Sequence, residues 1–320
     1  MKLLIVANYN KGRFAPFVSE QAEALRKAGC EVSMFGMVGH GVWGYLKNLR
    51  PLRNTLRKEN PDVIHAHYGL CGLLAGLQRQ VPVVTTYHGS DINHPQMRQI
   101  SRWAMRLSKW NLFVSQALID RVHPQGHYSL LPCGVNLEEF PLTDKEEARQ
   151  RLGLAVEKHY VLFASAFDNP VKNAVLAQSA FQALEGVDPE SPPNRTELLE
   201  LSGRSREEVA LLLRAVDCLL MTSLSEGSPQ VIKEALACEC PIVSVPVGDV
   251  AWVTDGVEGC YLTEATPKAV AEGIKKSLAF NGRTTGRQRL VSLGLTNDAI
   301  AHRLIETYKN LANTRNTSQY

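Results

Sequence analysis

Hydrophobic residues in the first 135 positions fall in short continuous runs, and the segments between these runs have helical spacing. Runs that are apolar on both faces are typical of parallel strands covered by helices on both sides. A helix is predicted over residues 15–28, because Pro16 suits its first turn and Gly29 ends it. Six strands are predicted in this half, at residues 2–8, 31–37, 62–67, 82–87, 111–115 and 128–133.

The second half repeats this alternation of strands and helices. Its predicted strands are residues 160–165, 197–202, 218–223, 242–245 and 260–263. Alternating β and α elements predict an α/β protein with two doubly wound parallel sheets and right-handed crossovers. We expect an N-terminal domain at 1–150, a C-terminal domain at 151–300, and a helix and tail at 301–320 that could pack back on the first domain.

Two segments are expected to lie outside the regular elements. Residues 188–196 contain three prolines and predict a loop, and the polar residues 313–320 predict a frayed tail. The charged stretch 144–158 is predicted to separate the two halves as a surface helix and linker.

The length of 320 residues favours two domains. Hydrophobic residues make up 44% and charged residues 21%, a composition that supports buried cores and excludes general disorder. No apolar run is long enough to span a membrane, and the run 3–7 has no cleavage site after it. These features predict a cytoplasmic protein.

The seven cysteines are an odd number, and the one close pair, Cys238 and Cys240, lacks metal-site spacing. Small reduced core residues are therefore expected, with no metal site. Charge is uneven: residues 1–130 hold 16 Lys and Arg against 7 Asp and Glu, and the remainder holds 19 against 25. The basic half suggests an anionic partner, although chance polarity explains it equally well.

The segment after the predicted strand 218–223 carries the clearest chemistry. In doubly wound folds, ligands bind beyond the carboxyl ends of strands. Gly227 allows close backbone approach, Ser228 suits an N-cap, and Pro229 suits the first helical position. The free N–H groups of such a helix form an anion site suited to a diphosphate.

Two carboxylates flank this helix start, Glu226 before it and Glu234 two turns into it. Carboxylates accept hydrogen bonds from vicinal hydroxyls, so a sugar and a ribose are the expected partners. The alternative is an ordinary capped helix with two solvated glutamates.

The spacing of Glu226 and Glu234 resembles the E-x7-E motif of retaining glycosyltransferases of family 4. The resemblance implies the GT-B fold, in which two Rossmann-like domains face each other across a cleft. Further matching segments are residues 235–237, 241–244, 248, 61–67, 86–91 and 132–136.

The resemblance also implies roles for individual residues. Glu226 and His88 would be the catalytic groups at the donor sugar, although His88 could instead belong to a simple turn. Glu234 would hold the ribose. Lys172 would bind the donor diphosphate, unless it is an exposed lysine at a helix start. Backbone contacts to the sugar and phosphates would come from Gly227, Ser228 and Pro229.

The loop after the first strand lacks the spacing of a Walker A motif. It resembles the family's loop near acceptor and donor. Contacts with an acceptor or a phosphate would come from Lys11, Gly12, Arg13 and Asp91, although solvent exposure of Lys11 and Arg13 explains the sequence equally well.

Three positions depart from the family pattern. Phe167 stands where an arginine is usual, Asn173 stands where a glycine follows the lysine, and Asp249 stands where a second glycine is common. An acid at 249 is expected to repel a nearby phosphate, and Phe167 leaves the diphosphate short of one positive charge.

The implied function is transfer of a hexose from a nucleotide-diphosphate sugar to a carbohydrate or lipid-linked acceptor, with retention of anomeric configuration, in polysaccharide biosynthesis. No cofactor, metal or nucleic-acid partner is expected, since no Asp-x-Asp sequence is present. The alternatives are another GT-B enzyme, such as a nucleotide-sugar epimerase, and a degenerate nucleotide-sugar-binding regulatory subunit.

A contact with an anionic membrane is also suggested, at its inner face. Residues 97–110 predict an amphipathic helix of the kind that lies on lipid surfaces. Its basic stripe is Arg98, Arg102, Arg106 and Lys109, and its apolar stripe is Ile100, Trp103, Leu107 and Trp110. Alternatively, the apolar stripe packs on the sheet and the arginines form its solvated face.

Overall fold

The computed structural model describes residues 1–185 and 196–316. The predicted loop at 188–196 lies outside this part of the chain, except for Thr196, which begins a strand. Of the predicted frayed tail at 313–320, residues 313–316 instead belong to the last helix, and the other four lie outside the described residues. The structure divides into two compact units, which are Met1–Gly134 with Leu295–Tyr320, and Val135–Gly294. We refer to them as unit 1 and unit 2.

Unit 1 is built on a six-stranded sheet with the order β2-β1-β3-β4-β5-β6, in which every neighbouring pair is parallel. Its central strands are buried on both faces, as their continuous apolar sequences predict. The strands are β1 Lys2–Asn8, β2 Glu31–Met37, β3 Val63–His67, β4 Val83–Tyr87, β5 Trp110–Phe113 and β6 Tyr128–Leu130.

Helices cover this sheet and form two apolar clusters with it. The last helix of the chain belongs to this unit and packs against the first. The helices are α1 Pro16–Lys27, α2 Gly41–Leu46, α3 Leu49–Glu59, α4 Gly69–Gly76, α5 Ser90–Asn93, α6 Pro95–Leu107, α7 Gln116–Val122 and, after unit 2, α15 Asn297–Asn316.

Unit 2 has a five-stranded parallel sheet with the order β11-β10-β9-β7-β8. Its strands are β7 His159–Phe163, β8 Thr196–Glu200, β9 Cys218–Met221, β10 Ile242–Ser244 and β11 Cys260–Leu262. Its helices are α8 Lys145–Leu152, α9 Ala174–Glu185, α10 Arg206–Ala215, α11 Gln230–Ala237, α12 Val250–Thr254, α13 Pro267–Phe280 and α14 Gly286–Ser292, with 3-10 turns at Leu137–Glu139 and Pro170–Lys172.

The sheets confirm the predicted fold class of two parallel-sheet, Rossmann-like domains. β1 and β2 have the predicted bounds. β6 ends at Leu130, earlier than expected, because Pro132 has no N–H to continue the ladder.

The charged stretch 144–158 belongs to unit 2, so the division of the chain falls earlier than residue 150. Asp144 caps α8 by accepting from the N–H groups of Glu146 and Glu147. The buried guanidinium of Arg149 then pairs with Asp217 at 2.9 Å, which ties α8 to the start of β9.

The predicted helix 97–110 is wrong at its carboxyl end. α6 stops at Leu107 because Ser108 is extended and Lys109 donates to Val83 at 2.8 Å, which begins the pairing of β5 with β4. Trp110 is therefore a strand residue. Within the described residues, no helix is long and apolar enough to cross a membrane.

Candidate active site

A lysine and a glutamate meet at the carboxyl edge of the unit 2 sheet. Lys172 follows β7 and Glu226 follows β9, and these strands are neighbours. The ammonium of Lys172 lies 2.6 Å from Oε1 of Glu226, and about a fifth of each side chain is exposed. The structure thus brings together two of the residues that the sequence singled out.

The backbone beneath Lys172 is held by neighbouring groups. The buried hydroxyl of Thr222 is 3.0 Å from the carbonyl oxygens of both Lys172 and Asn173. Asn173 has a φ of 55°, in the left-handed region, where asparagine and glycine are tolerated best. This conformation explains why asparagine can replace the glycine of the family pattern.

The helix after Glu226 begins one residue later than predicted. Pro229 is the N-cap of α11, with an extended backbone, and Gln230 is the first helical residue. Ser228 does not cap this helix, so that expectation is wrong. Its hydroxyl instead accepts from Lys233 and donates to Asp249, both at 2.5 Å.

Gly227 and Gly248 are in close contact through their backbones. Gly248 has a φ of 62°, and a Cβ there would lie 2.5 Å from the carbonyl oxygen of Gly227. Glycine is therefore required at 248 both by conformation and by space. This contact fixes the loop between Glu226 and α11.

Asp249 is compensated by a lysine that the sequence analysis overlooked. Lys233, on α11, has no exposed surface, and its ammonium lies 3.9 Å from Oδ2 of Asp249. Burial raises the pKa of Asp249, and the nearby Lys233 opposes that shift. The negative charge expected to repel a phosphate thus has a buried cation and the Ser228 hydroxyl beside it.

Glu234 is held by an arginine. Its carboxylate, 9% exposed, is 2.5 Å from Nη1 of Arg206, the first residue of α10. Arg206 also pairs with Glu139 at 3.2 Å, and its guanidinium lies over the ring of Phe140. Glu234 is therefore neither solvated nor free to rotate.

Phe167 occupies the position of the family's arginine. Its ring stacks on that of Phe163, with centroids 5.2 Å apart, and packs against the core of unit 2. The side chain thus packs against the apolar core and supplies no charge to the site.

The carboxyl edge of the unit 1 sheet carries a stack of histidines. The rings of His65 and His67 are 4.6 Å apart, and those of His67 and His88 are 5.2 Å apart. Burial lowers the pKa of His67 to about 3, so this ring is neutral at physiological pH. Nδ1 of His67 lies 3.0 Å from Nε2 of His88.

The surroundings of His67 indicate which nitrogen carries its proton. Its Nε2 is buried and has no hydrogen-bond partner among the described residues. A proton on Nε2 would be a buried donor without an acceptor, which is costly. We therefore assign the proton to Nδ1, which donates to His88. In a neutral His88 ring, the remaining proton then lies on Nδ1.

Asp91 holds the backbone around His88. Its buried carboxylate accepts from the N–H groups of His88, Gly89 and Gly69, at 3.0–3.1 Å. Burial raises its pKa to about 6, against the effect of these hydrogen bonds. Gly89 has a φ of 117°, which a side chain would strain.

A cavity of about 960 Å³ lies beside this loop in unit 1. Lys11 and Arg13 line it, and both are exposed and make no hydrogen bond or ion pair within the described residues. Gly12 between them has a φ of 68°. Asp91 is the one carboxylate among the described lining residues, and backbone N–H groups occupy its oxygens.

No group of three or more His, Cys, Asp or Glu residues is placed to hold a metal ion in the part of the chain that the structure describes. All seven cysteines are free thiols.

Two protein-family models match the chain. Residues 16–139 match the model described as Glycosyltransferase Family 4, and residues 157–279 match the model described as Glycosyl transferases group 1. Both matched segments are glycosyltransferase domains, and together they cover most of the chain.

Among curated relatives, a Bacillus subtilis protein described as the teichuronic acid biosynthesis glycosyltransferase TuaC is 26% identical over 272 residues, which are 73% of this chain and 68% of that protein. The D-inositol 3-phosphate glycosyltransferase of Mycobacterium marinum is 29% identical over 276 residues, which are 70% of this chain and 57% of that protein. The chain thus spans little more than half of the second relative.

Solved structures share the fold across nearly the whole chain. Sucrose-phosphate synthase of Thermosynechococcus elongatus superposes with a TM-score of 0.81 at 18% identity, covering 98% of this chain and 100% of that one. Anabaena HepE in complex with UDP gives a TM-score of 0.74 at 16% identity, covering 97% and 100%. The GT-B fold predicted from the sequence is confirmed.

Proposed function

We propose that this chain transfers a hexose from a nucleoside-diphosphate sugar to a carbohydrate or lipid-linked acceptor, with retention of anomeric configuration. The observation that carries the proposal is the Lys172–Glu226 pair beside the start of α11, in a chain whose two halves match glycosyltransferase models. HepE was solved with UDP, which makes a uridine diphosphate sugar the first donor to test.

The diphosphate is bound by the edge of unit 2 in this proposal. The ammonium of Lys172 has three donors, so it can keep its bond to Glu226 while donating to phosphate oxygens. Lys233 lies behind Ser228 and offsets the charge of Asp249, so this acid does not oppose the bound diphosphate. As the leaving group gains negative charge, Lys172 and the free N–H groups of α11 stabilise it where it forms.

Glu226 positions the donor sugar through its hydroxyls. Its carboxylate is already paired with Lys172, and we assign it no nucleophilic role of the glycosidase kind. Retention then comes from attack on the same face from which the diphosphate leaves, with the departing phosphate taking the acceptor's proton.

Glu234 and His88 complete the proposed donor contacts. Arg206 holds Glu234 in one orientation, which suits bidentate acceptance from the two hydroxyls of a ribose. In unit 1, Asp91 and His67 fix the backbone and the ring of His88 before substrate arrives, and Nδ1 of this ring lies 3.7 Å from Sγ of Cys133. Gly227, Ser228 and Pro229 contribute backbone contacts.

The cavity beside Lys11, Gly12 and Arg13 is the proposed acceptor site. Two cations without partners favour an acceptor that carries a phosphate or a carboxylate. The names of the relatives refer to teichuronic acid and inositol 3-phosphate, so acidic acceptors are the first to test. We further propose a cytoplasmic role in polysaccharide synthesis that needs no cofactor, metal or nucleic acid.

The test is turnover of a panel of nucleotide sugars by the purified chain, with nucleoside diphosphate release and the anomeric signal of the product followed by NMR. Glu226→Gln should remove most of the activity, while Glu264→Gln, an identical change at an exposed residue of unit 2, should keep it. Equal activities in the two variants would contradict the assignment of Glu226 to the donor site. Binding without turnover would instead identify a regulatory subunit, and an epimerised nucleotide sugar would identify an epimerase.

A further inference from the structure

Unit 1 has a second cavity at the opposite end of its sheet, where β4 and β5 begin. Its volume is about 830 Å³. Basic side chains line it, and the described lining residues include no carboxylate. These basic residues are Arg79, Arg106, Lys109 and His127.

The charges around this cavity have no counter-ions in the described part of the chain. Neither Arg79 nor Lys109 forms an ion pair there, and the guanidinium of Arg106 lies over the ring of Trp103, 4.9 Å from its centroid. Like charges that share one cavity raise each other's free energy, and an anionic group relieves that repulsion. The cavity is therefore suited to a phosphate.

The backbone of Arg79 is held in an unusual conformation. Its φ is 60°, in the left-handed region where glycine is the common choice and an arginine is strained. The side chain of Gln78 braces this turn: it accepts from the N–H groups of Gln80 and Val81 at 2.7 and 2.8 Å, and donates to the Val81 carbonyl. Strained backbone conformations cluster at functional sites, so the conformation of Arg79 supports a binding role for its side chain.

The neighbouring face of α6 is exposed and carries a tryptophan. α6 buries Ser101, Ala104 and Met105, while Trp103 is 59% exposed. Of the predicted apolar stripe on this helix, only Trp103 is exposed, and Ile100 and Leu107 are half-buried beside the core face. Arg98 is not part of an exposed basic stripe, because its guanidinium donates to the carbonyls of Ile92 and Asn93.

We propose that unit 1 docks on an anionic phospholipid surface, with Trp103 at the interface and a lipid phosphate in the cavity lined by Arg79, Arg106 and Lys109. Tryptophan and basic residues on one amphipathic face are typical of helices that lie in the headgroup region. Docking is peripheral and reversible, and it does not depend on the sugar-transfer reaction.

The experiment is sedimentation of the full chain with vesicles of phosphatidylcholine alone and of phosphatidylcholine mixed with phosphatidylglycerol. Binding is expected only to the mixed vesicles, and it should weaken at high salt because the attraction is screened. Arg79→Gly suits the left-handed backbone and removes one charge, so it should weaken partitioning about fivefold. Arg79→Lys keeps the charge and should bind nearly as well as the native chain.

A pair of charge-matched variants separates the cavity from general electrostatics. Arg106→Glu with Lys109→Glu should abolish binding, whereas Lys268→Glu with Lys276→Glu, at exposed positions of unit 2, should preserve it. No binding at low salt, or equal losses in both double variants, would overturn the proposal. Thermal stabilisation by glycerol phosphate without vesicle binding would also overturn it, in favour of a soluble phosphate ligand.

Discussion

The carboxyl edges of the two sheets have the same backbone architecture, but charged pairs line one edge and histidine rings line the other. The edge of unit 2 is organised by three ion pairs, Lys172–Glu226, Arg206–Glu234 and Lys233–Asp249. The edge of unit 1 is organised by stacked histidine rings and by one buried carboxylate, that of Asp91. In parallel sheets, ligand sites form beyond the carboxyl ends of the strands, and the residues at those ends determine what the site can bind.

The difference follows from what each edge is proposed to bind. A diphosphate requires positive charge, and paired carboxylates keep those cations in place before it arrives. His65 and His67 are buried to the point that charging them is unfavourable, and burial lowers the pKa of both rings. They can therefore fix geometry and proton position without adding a charge.

The largest expected effect comes from breaking a buried pair in unit 2. Lys233→Met leaves the Asp249 carboxylate buried without its cation, and the free energy of unfolding should fall by about 3–5 kcal/mol. Denaturant titration measures the loss. Adding Asp249→Asn to this variant should recover part of it, because the uncompensated charge is gone. No recovery in the double variant would show that Lys233 acts through other contacts.

A smaller effect, with a defined pH range, is expected from the buried carboxyl of unit 1. Burial raises the pKa of Asp91 from 3.8 to about 6. An acid with a raised pKa stabilises the fold at low pH, and this contribution is lost as pH rises through the folded value. Relative to Asp91→Asn, the native chain should lose up to about 3 kcal/mol between pH 4 and 7. Parallel curves for the two proteins would contradict this titration.

The smallest effect concerns the proton that His67 donates. Loss of one neutral hydrogen bond contributes about 0.5–1.5 kcal/mol, so His67→Leu should lower kcat about three- to tenfold. His67→Asn places an amide donor near the position of Nδ1 and should restore most of kcat. If leucine and asparagine have the same effect, His67 supports packing and does not position His88.

The strands and the loop at 225–229 could be predicted from the sequence because their signals are local. Continuous apolar runs mark buried strands, and Gly227 and Pro229 mark the turn before α11. The ion pairs of the site could not be predicted in this way. Arg206 meets Glu234 across 28 residues and Lys172 meets Glu226 across 54, so these pairs depend on how the strands are ordered.

One overlooked residue did leave a signal in the sequence. Lys233 lies five residues after Ser228, which puts it on the first turns of α11, and Asp249 replaces a glycine close to a proposed phosphate site. A carboxylate at that position needs a positive charge beside it. Lys233 is the nearest basic residue in the sequence to which no role had been given. The exposure of Trp103 could not be predicted from the sequence in the same way. Packing of α6 against α4 determines which face of α6 is buried.

The most direct test of the donor site is calorimetric titration of uridine, guanosine, adenosine and thymidine diphosphates into the native chain and into Lys172→Ala, with Lys268→Ala as the exposed control. At least one nucleotide should bind the native and control proteins. Its affinity for Lys172→Ala should be roughly ten- to a hundredfold weaker, since charge-assisted bonds contribute about 1.5–3 kcal/mol. Failure of every nucleotide to bind, or an unchanged dissociation constant in Lys172→Ala, would contradict a diphosphate site at the edge of unit 2.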